Sequence, residues 1–378
     1  MQNLIIMKAI ISGGGSGGHI FPAIAIANAI KARYPDADIL FIGAKGRMEM
    51  EKVPAAGYRI EALPIAGLQR KLTLKNILFD LTVPFRMLHS QLLVRKILHT
   101  FQPDIVVGVG GYASAPTLKT AEKMGFATLL QEQNSYPGLT NKMLAKSART
   151  ICVAYDGLEH FFPAEKIVFT GNPVRAAIEE MRCTRQQGCE EFGLNTSKPV
   201  VLSVGGSLGA SSINHMVMHH LTWFREHDVQ LLWQTGKWMI EEAQQTVKEA
   251  GMEQWIKVHQ FISHMDLAYS AADVVISRAG AIAISELCLV GKPVILIPSP
   301  NVAEDHQTKN ARALAEKGAA LLVADKDCDV AGIDTLSSLL QNAEHRKAMG
   351  EAILLLGKRH AADKIVDEID KIIANEAR

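Results

Sequence analysis

The stretch Gly13-Gly14-Gly15-Ser16-Gly17-Gly18-His19 constrains this chain more than any other. It follows an apolar run, Lys8-Ala9-Ile10-Ile11-Ser12, that predicts a buried strand. It precedes Ile20 to Arg33, which predicts a helix with Pro22 in its first turn, where proline is tolerated. Glycines let the backbone approach a ligand closely, and unpaired N–H groups at a helix start attract an anion. Strand, loop and helix therefore predict a phosphate-binding arrangement. The chain repeats the device: Val200-Val201-Leu202-Ser203-Val204 leads into Gly205-Gly206-Ser207-Leu208-Gly209-Ala210 and then a helical run to about Glu226. Two such openings in 378 residues predict two similar α/β domains facing one substrate.

The rest of the chain fits that frame. Strand and helix patterns alternate, which predicts parallel sheets covered by helices on both faces, a doubly wound α/β class. Strands are expected at 8–12, 38–42, 58–63, 104–109, 127–131, 150–154 and 167–170, then at 200–204, 229–234, 256–261, 273–277, 293–297 and 319–323. The connection between domains is expected from Gly171-Asn172-Pro173 through Lys198-Pro199, where two prolines interrupt periodicity. That gives an N-terminal domain over 1–171 and a C-terminal domain over 172–357. The helical tail, about 358–376, is expected to pack back on the first domain. Apolar residues make up 48% of the chain and charged residues 21%, ample for two cores. The formal net charge of +1 supplies no global field for nucleic acid. Five cysteines without a C-x-x-C pair favour a reduced, intracellular protein. No apolar run reaches the length of a membrane span, and Met1 to Ile11 is too short and strand-like for a signal peptide, so a membrane role is expected to be peripheral.

One insertion breaks the rhythm. Residues 68–99 mix Leu68, Leu72, Leu74, Ile77, Leu78, Phe79, Leu81, Phe85 and Leu88 with Arg70, Lys71, Lys75, Arg86, Arg95 and Lys96, against Asp80 as the only acid. Helices with a solvated basic face explain much of this. A surface that docks on anionic lipid explains it too, with ~1 kcal/mol per basic residue near the headgroups. Pro84, in an apolar patch, argues against a plain core helix.

Several residues carry chemistry. Gly13, Gly15 and Gly18 satisfy G-x-G-x-x-G, but a dinucleotide site also wants an acid at the end of the second strand. That strand ends Phe41-Ile42-Gly43-Ala44, which counts against NAD. His19, where the helix begins, is either a base or donor facing a phosphate or hydroxyl, or a ring satisfying a backbone group. Gln131-Glu132-Gln133-Asn134 ends a strand, where open α/β sheets place ligands; the cluster holds sugar hydroxyls or caps the loop before the next helix. Arg175 offers a forked contact to a diphosphate or lies on the surface. Glu286, in the helix opened by Ala281-Ile282-Ala283-Ile284-Ser285, offers a carboxylate to both hydroxyls of a ribose or favours the helix start electrostatically. Gln307 is placed to reach the same ligand. His215 and His219 lack a third metal ligand, and Asp325-Lys326-Asp327-Cys328-Asp329 has Val330 where a calcium loop needs glycine. No metal site and no cofactor are expected.

Taken in order, Gly14-Gly15-Ser16-Gly17-Gly18-His19-Ile20-Phe21-Pro22, Gly110-Gly111-Tyr112, Glu132-Gln133-Asn134, Gly138-Leu139-Thr140-Asn141-Lys142, Gly171-Asn172-Pro173-Val174-Arg175, Gly205-Gly206-Ser207 and Ser285-Glu286 closely resemble the MurG family of bacterial glycosyltransferases over nearly the whole chain. The resemblance implies the GT-B fold, two Rossmann-like domains facing a cleft. It implies UDP-N-acetylglucosamine as donor and lipid I, the undecaprenyl-linked muramyl-pentapeptide, as acceptor. The product is then lipid II, made for peptidoglycan at the cytoplasmic face of the bacterial membrane, with cell-wall synthesis proteins as possible partners. The family's donor contacts fall on Ser16, Gly17 and Gly18 beside sugar and diphosphate, and on Asn134 near the sugar. Arg175 and Ser207 fall on the diphosphate, and the Ile262 backbone on uracil. Ala281, Ile282, Ala283, Ile284 and Ser285 line the nucleotide, with Glu286 on the ribose and Gln307 near the sugar. The family's membrane patch falls on the basic-apolar insertion. Gln131, Ala283 and Leu208 stand where relatives often have His, Thr and Gln. The implied reaction is an inverting displacement by the muramyl 4-hydroxyl without metal, with His19 the first candidate base and Glu132 the second. A UDP-sugar epimerase and a non-catalytic nucleotide-sugar-binding partner are the alternatives.

Overall fold

The structure, a computed structural model, describes residues 6–65, 83–206, 208–302 and 305–376. It divides into two compact units, Met1–Val174 with His360–Arg378, and Arg175–Arg359.

The first unit is built on β1 (Lys8–Ser12), β2 (Asp38–Ala44), β3 (Arg59–Leu63), β4 (Ile105–Gly108), β5 (Thr128–Glu132), β6 (Thr150–Val153) and β7 (Ile167–Phe169). They form one parallel sheet in the order β3-β2-β1-β4-β5-β6-β7. The central strands are apolar runs because both faces are covered, as parallel sheets require. Ile11, Val107 and Leu129 pack to one side with Ile20, Ile26 and Ile30 of the helix Gly17–Arg33. Ile10, Val106 and Leu130 pack to the other with Val94, Leu98 and Leu118.

The C-terminal helix Ala361–Glu376 belongs to this unit. Its Ile365, Val366, Ile369 and Ile372 are buried in the cluster that holds Ile26 and Ile30. Arg33 adds ion pairs to Asp367 at 2.6 Å and Asp370 at 2.8 Å, and the Tyr34 hydroxyl donates to Asp370 at 2.9 Å. Burying each large aliphatic side chain contributes ~1.5–3 kcal/mol, whereas part-exposed ion pairs contribute about 0–1, so the apolar face docks the helix and the charges set its register.

The second unit carries β8 (Val200–Val204), β9 (Gln230–Gln234), β10 (Ile256–His259), β11 (Val274–Ser277), β12 (Val294–Leu296) and β13 (Leu321–Leu322), again all parallel, in the order β10-β9-β8-β11-β12-β13. In each sheet the order reverses beside the first strand, at β1/β4 and at β8/β11. That switch point is where open α/β sheets take ligands, and each glycine loop follows the strand next to it.

Of the basic-apolar insertion, residues 68–82 lie outside the described residues. From 83 on it is the helix Val83–Phe101, which includes Pro84 near the start of its described length. The proline therefore does not oppose a helix. Val94 and Leu98 face the core, while Phe85 (75% exposed), Leu88 (58%) and Leu92 (62%) line the outer face with Arg95 and Lys96.

Candidate active site

In the first unit the helix begins at Gly17, with Ser16 extended before it. Ser16 and Gly18 are exposed, Gly17 and His19 half-buried. His19 Nδ1 lies 3.2 Å from Ser16 Oγ, and the other edge of the ring faces Gly110, where a Cβ would stand 2.9 Å from Nε2.

The loop itself is not an open anion site. Glu49, 1% exposed, turns back from the helix Glu49–Ala55. Its Oε2 accepts the Gly15 N–H at 2.9 Å and its Oε1 the Ala44 N–H at 3.0 Å. Gly14, at φ +147°, has to be glycine because any Cβ would overlap that carboxylate. The phosphate-binding expectation for this loop needs correcting: its Gly15 amide is held by the protein's own carboxylate. The dinucleotide argument changes too. An acid does stand at the end of β2, supplied from five residues further on, but it is spent on backbone amides.

Glu132 ends β5 and is 1% exposed. Oε1 accepts from the Asn134 N–H at 3.0 Å and from Asn134 Nδ2 at 3.1 Å. Oε2 accepts from the Gly138 N–H at 3.2 Å and from Asn141 Nδ2 at 2.8 Å. A carboxylate offers about four lone-pair sites, and all four are engaged. Burial pushes the Glu132 carboxyl above the usual range, opposed by the hydrogen bonds from Asn134, Asn141 and Gly138. A second candidate base so enclosed has to break a contact to take a proton; its geometry is that of a loop anchor. Asn134, expected near the sugar, has its amide nitrogen on Glu132. Gln131 is absorbed into a buried amide chain: it donates to Asn172 Oδ1 at 2.9 Å, and Asn172 Nδ2 donates to the Gln133 carbonyl at 3.0 Å.

In the second unit one side chain that the sequence did not single out, Gln234, ties the loops after three strands together. Its Nε2 donates to the Gly206 carbonyl at 3.0 Å and its Oε1 accepts the Ile262 N–H at 2.9 Å. Of the Ile262 backbone, the carbonyl is thus the group left to accept from a base. Ser207 lies outside the described residues. The helix Ala281–Val290 opens from an extended Gly280, and the backbone N–H groups of its first turn have no intrahelical acceptor. Ala281, Ile282 and Ile284 are buried and Ala283 half-buried, while Ser285 Oγ donates to the Ala281 carbonyl at 2.9 Å. Gln307 Oε1 accepts the Ser299 N–H at 2.8 Å and so shapes the loop after β12.

Glu286 and Arg175, expected on ribose and diphosphate, meet each other. Arg175 Nε donates to Oε1 at 2.7 Å and Nη2 to Oε2 at 2.8 Å, a fork on a carboxylate that is 4% exposed. The Tyr269 hydroxyl, 3.5 Å from Oε2, closes the buried side. Burial alone would lower the Arg175 guanidinium, but the hydrogen bonds and charge of Glu286 outweigh it and the net shift is upward. Burial and the Glu286 charge hold the Tyr269 phenol well above its usual value. The fork uses one lone pair on each carboxylate oxygen and the Tyr269 hydroxyl approaches Oε2 as well, which leaves Oε1 the freer acceptor.

The features set aside in the sequence carry ion pairs. His219 pairs with Asp329 at 3.0 Å, and Asp325 is bound by Arg278. Among the described residues no group of three His, Cys, Asp or Glu is placed to hold a metal ion.

Two parallel-sheet domains, each with a glycine loop at its switch point, describe the GT-B fold of nucleotide-sugar glycosyltransferases. Family models agree: residues 9–153 match the glycosyltransferase family 28 N-terminal domain and residues 200–369 its C-terminal domain. A Parabacteroides distasonis protein named UDP-N-acetylglucosamine–N-acetylmuramyl-(pentapeptide) pyrophosphoryl-undecaprenol N-acetylglucosamine transferase is 54% identical over 97% of this chain and 98% of its own. The crystal structure of Acinetobacter baumannii MurG superposes with a TM-score of 0.76 at 28% identity, covering 97% of this chain and 99% of that one. A Neisseria meningitidis UDP-GlcNAc 2-epimerase bound to UDP-GlcNAc shares the fold at a TM-score of 0.67 and 14% identity, covering 97% of this chain and 100% of its own. The chain belongs to the MurG family within glycosyltransferase family 28.

Proposed function

We propose that this protein transfers N-acetylglucosamine from UDP-N-acetylglucosamine to lipid I, giving lipid II for peptidoglycan. The carrying observation is a chain 54% identical, over 97% of its length, to a relative named for that transfer. In that reading Glu286 takes the ribose diol, the Ile262 carbonyl takes the uracil N3–H, and the glycine loop with Ser207 receives the diphosphate. Ala281, Ile282, Ala283, Ile284 and Ser285 line the nucleotide, and Arg175 pins Glu286 while facing the phosphates. Ser16, Gly17, Gly18, Asn134 and Gln307 border the sugar.

The chemistry is an inverting displacement. The muramyl 4-hydroxyl oxygen forms a bond to the anomeric carbon as the bond to the diphosphate oxygen breaks, and the electron pair leaves with UDP. His19 takes the hydroxyl proton on Nε2 when Nδ1–H donates to Ser16 Oγ. The departing charge is met by backbone N–H groups at the start of the Ala281 helix and by cationic side chains, without a metal.

The acceptor's lipid asks for a membrane surface. Among the described residues no helix is long and apolar enough to cross a membrane. The outer face of the helix Val83–Phe101, apolar at Phe85, Leu88 and Leu92 beside Arg95 and Lys96, suits peripheral docking on anionic lipid at the cytoplasmic face.

The test is transfer of labelled N-acetylglucosamine from its UDP donor to a lipid I analogue with EDTA present. A β-linked disaccharide on the lipid is expected. Appearance of the 2-epimer of the donor instead supports the epimerase, and donor binding without either product supports a binding partner.

A further inference from the structure

Departing UDP carries new negative charge on its diphosphate, and a cation beside it lowers the barrier. Two arginines suggest themselves in the second unit, and both are committed. Arg175 spends Nε and Nη2 on Glu286. Arg278, after β11, is bound to Asp325, donates to the Ile297 carbonyl at 2.9 Å and reaches Ser212 Oγ at 3.0 Å. A cation without a carboxylate partner beside the loop itself would add to what Arg175 supplies.

The segment Thr235-Gly236-Lys237 runs directly against that loop. Gly236, at φ +78°, fits only without a side chain, because a Cβ there would overlap the Leu208–Gly209 backbone. Asn214 Nδ2 donates to the Thr235 carbonyl at 2.8 Å, and Gln234 Nε2 holds the Gly206 carbonyl. The end of β9 is therefore held to the loop through Gln234 and to the helix that follows the loop through Asn214, and the residue after Gly236 is Lys237. Its side chain is exposed, it forms no ion pair among the described residues, and its Nζ lies 5.9 Å from the Trp238 ring centroid. A flexible stem ending in a point charge, rooted one residue from a phosphate loop, is how a lysine serves a phosphate.

We propose that Lys237 is the cation that contacts the donor diphosphate and follows its charge as UDP leaves. This rests on the functional reading above. The ammonium transfers no proton: the C1–O bond breaks, its electron pair stays on the β-phosphate oxygen, and Lys237 stabilises it there.

The experiment is calorimetric titration of the full chain with UDP and with uridine, for wild type, Lys237→Ala and Lys237→Arg, alongside kcat for transfer. Loss of one charge-assisted contact is expected to weaken UDP binding about 10- to 100-fold in Lys237→Ala and to leave uridine unchanged. kcat is expected to fall with it, and Lys237→Arg to recover most of the UDP affinity. UDP binding unchanged in Lys237→Ala, or UDP and uridine weakened equally, overturns the proposal. Failure of the wild type to bind UDP at all instead removes the functional reading, so the two failures are distinct.

Discussion

The two glycine loops begin alike and end differently. Each follows the central strand of a parallel sheet at its switch point and precedes a helix. In the first, a buried carboxylate from Glu49 holds the Gly15 amide, and the nearest reactive group is His19. In the second the brace is neutral: Gln234 holds the Gly206 carbonyl, and Lys237 follows the Gly236 that packs on the loop. A loop carrying its own negative charge is a poor place for a phosphate and a fair place for a neutral hydroxyl and its base. The pattern of glycines sets the backbone; what fills the concavity sets the ligand.

Variants sharpen that contrast. His19→Ala removes the proposed base and is expected to lower kcat ~10²–10⁴-fold while leaving the affinity for UDP unchanged, read by steady-state kinetics and titration. An equal loss of UDP affinity would blur the two loops' roles. Glu286→Ala acts on the proposed donor site: losing its charge-assisted hydrogen bonding to the ribose is expected to raise the donor KM roughly 100-fold, with acceptor KM little changed.

Glu132→Gln separates anchor from base. As a loop anchor Glu132 predicts a loss of activity of less than about 10-fold, because a base would cost ~10²–10⁴. Its raised carboxyl also has a signature. Between the ordinary carboxylate value and the raised one the folded state binds more protons than the unfolded, so stability falls as pH rises through that window. Glu132→Gln is expected to flatten that slope in chemical denaturation across pH. The smallest effect on donor chemistry belongs to Glu49→Gln. One acceptor lost from two buried amides costs about 1–3 kcal/mol of stability by denaturation, with UDP affinity unmoved.

The fold was largely written in local pattern. The runs at 8–12, 105–108, 128–132, 200–204 and 230–234 are apolar over the length of a buried parallel strand and stop at glycine or polar turn residues, so they could be placed from the sequence. The tail helix was legible because its apolar residues share one face, Ile365, Ile369 and Ile372 among them. The site was less so. Glycine loops and Glu286 stand out by composition and position, and Ile262 only through the family resemblance, but their partners do not. Glu49 reaches Gly15 across 34 residues, Gln234 reaches Ile262 across 28, and Arg175 reaches Glu286 across 111. Nothing local distinguishes Glu49 from a helix-start acid or Gln234 from any strand-end amide. Arg175 and Glu286 were each expected on a ligand, and their opposite charges at two ends of one site were the available sign that they would pair.

The most direct measurement is hydrogen–deuterium exchange of the full protein with and without UDP. The account predicts slowed exchange at Gly205, Gly206, Gly209 and the first turn of the Ala281 helix, and little change at Gly13, Gly14 and Gly15, where Glu49 already holds an amide. Equal or greater protection at Gly13–Gly15, with none at Gly205–Gly209, would contradict it and place the diphosphate on the first loop.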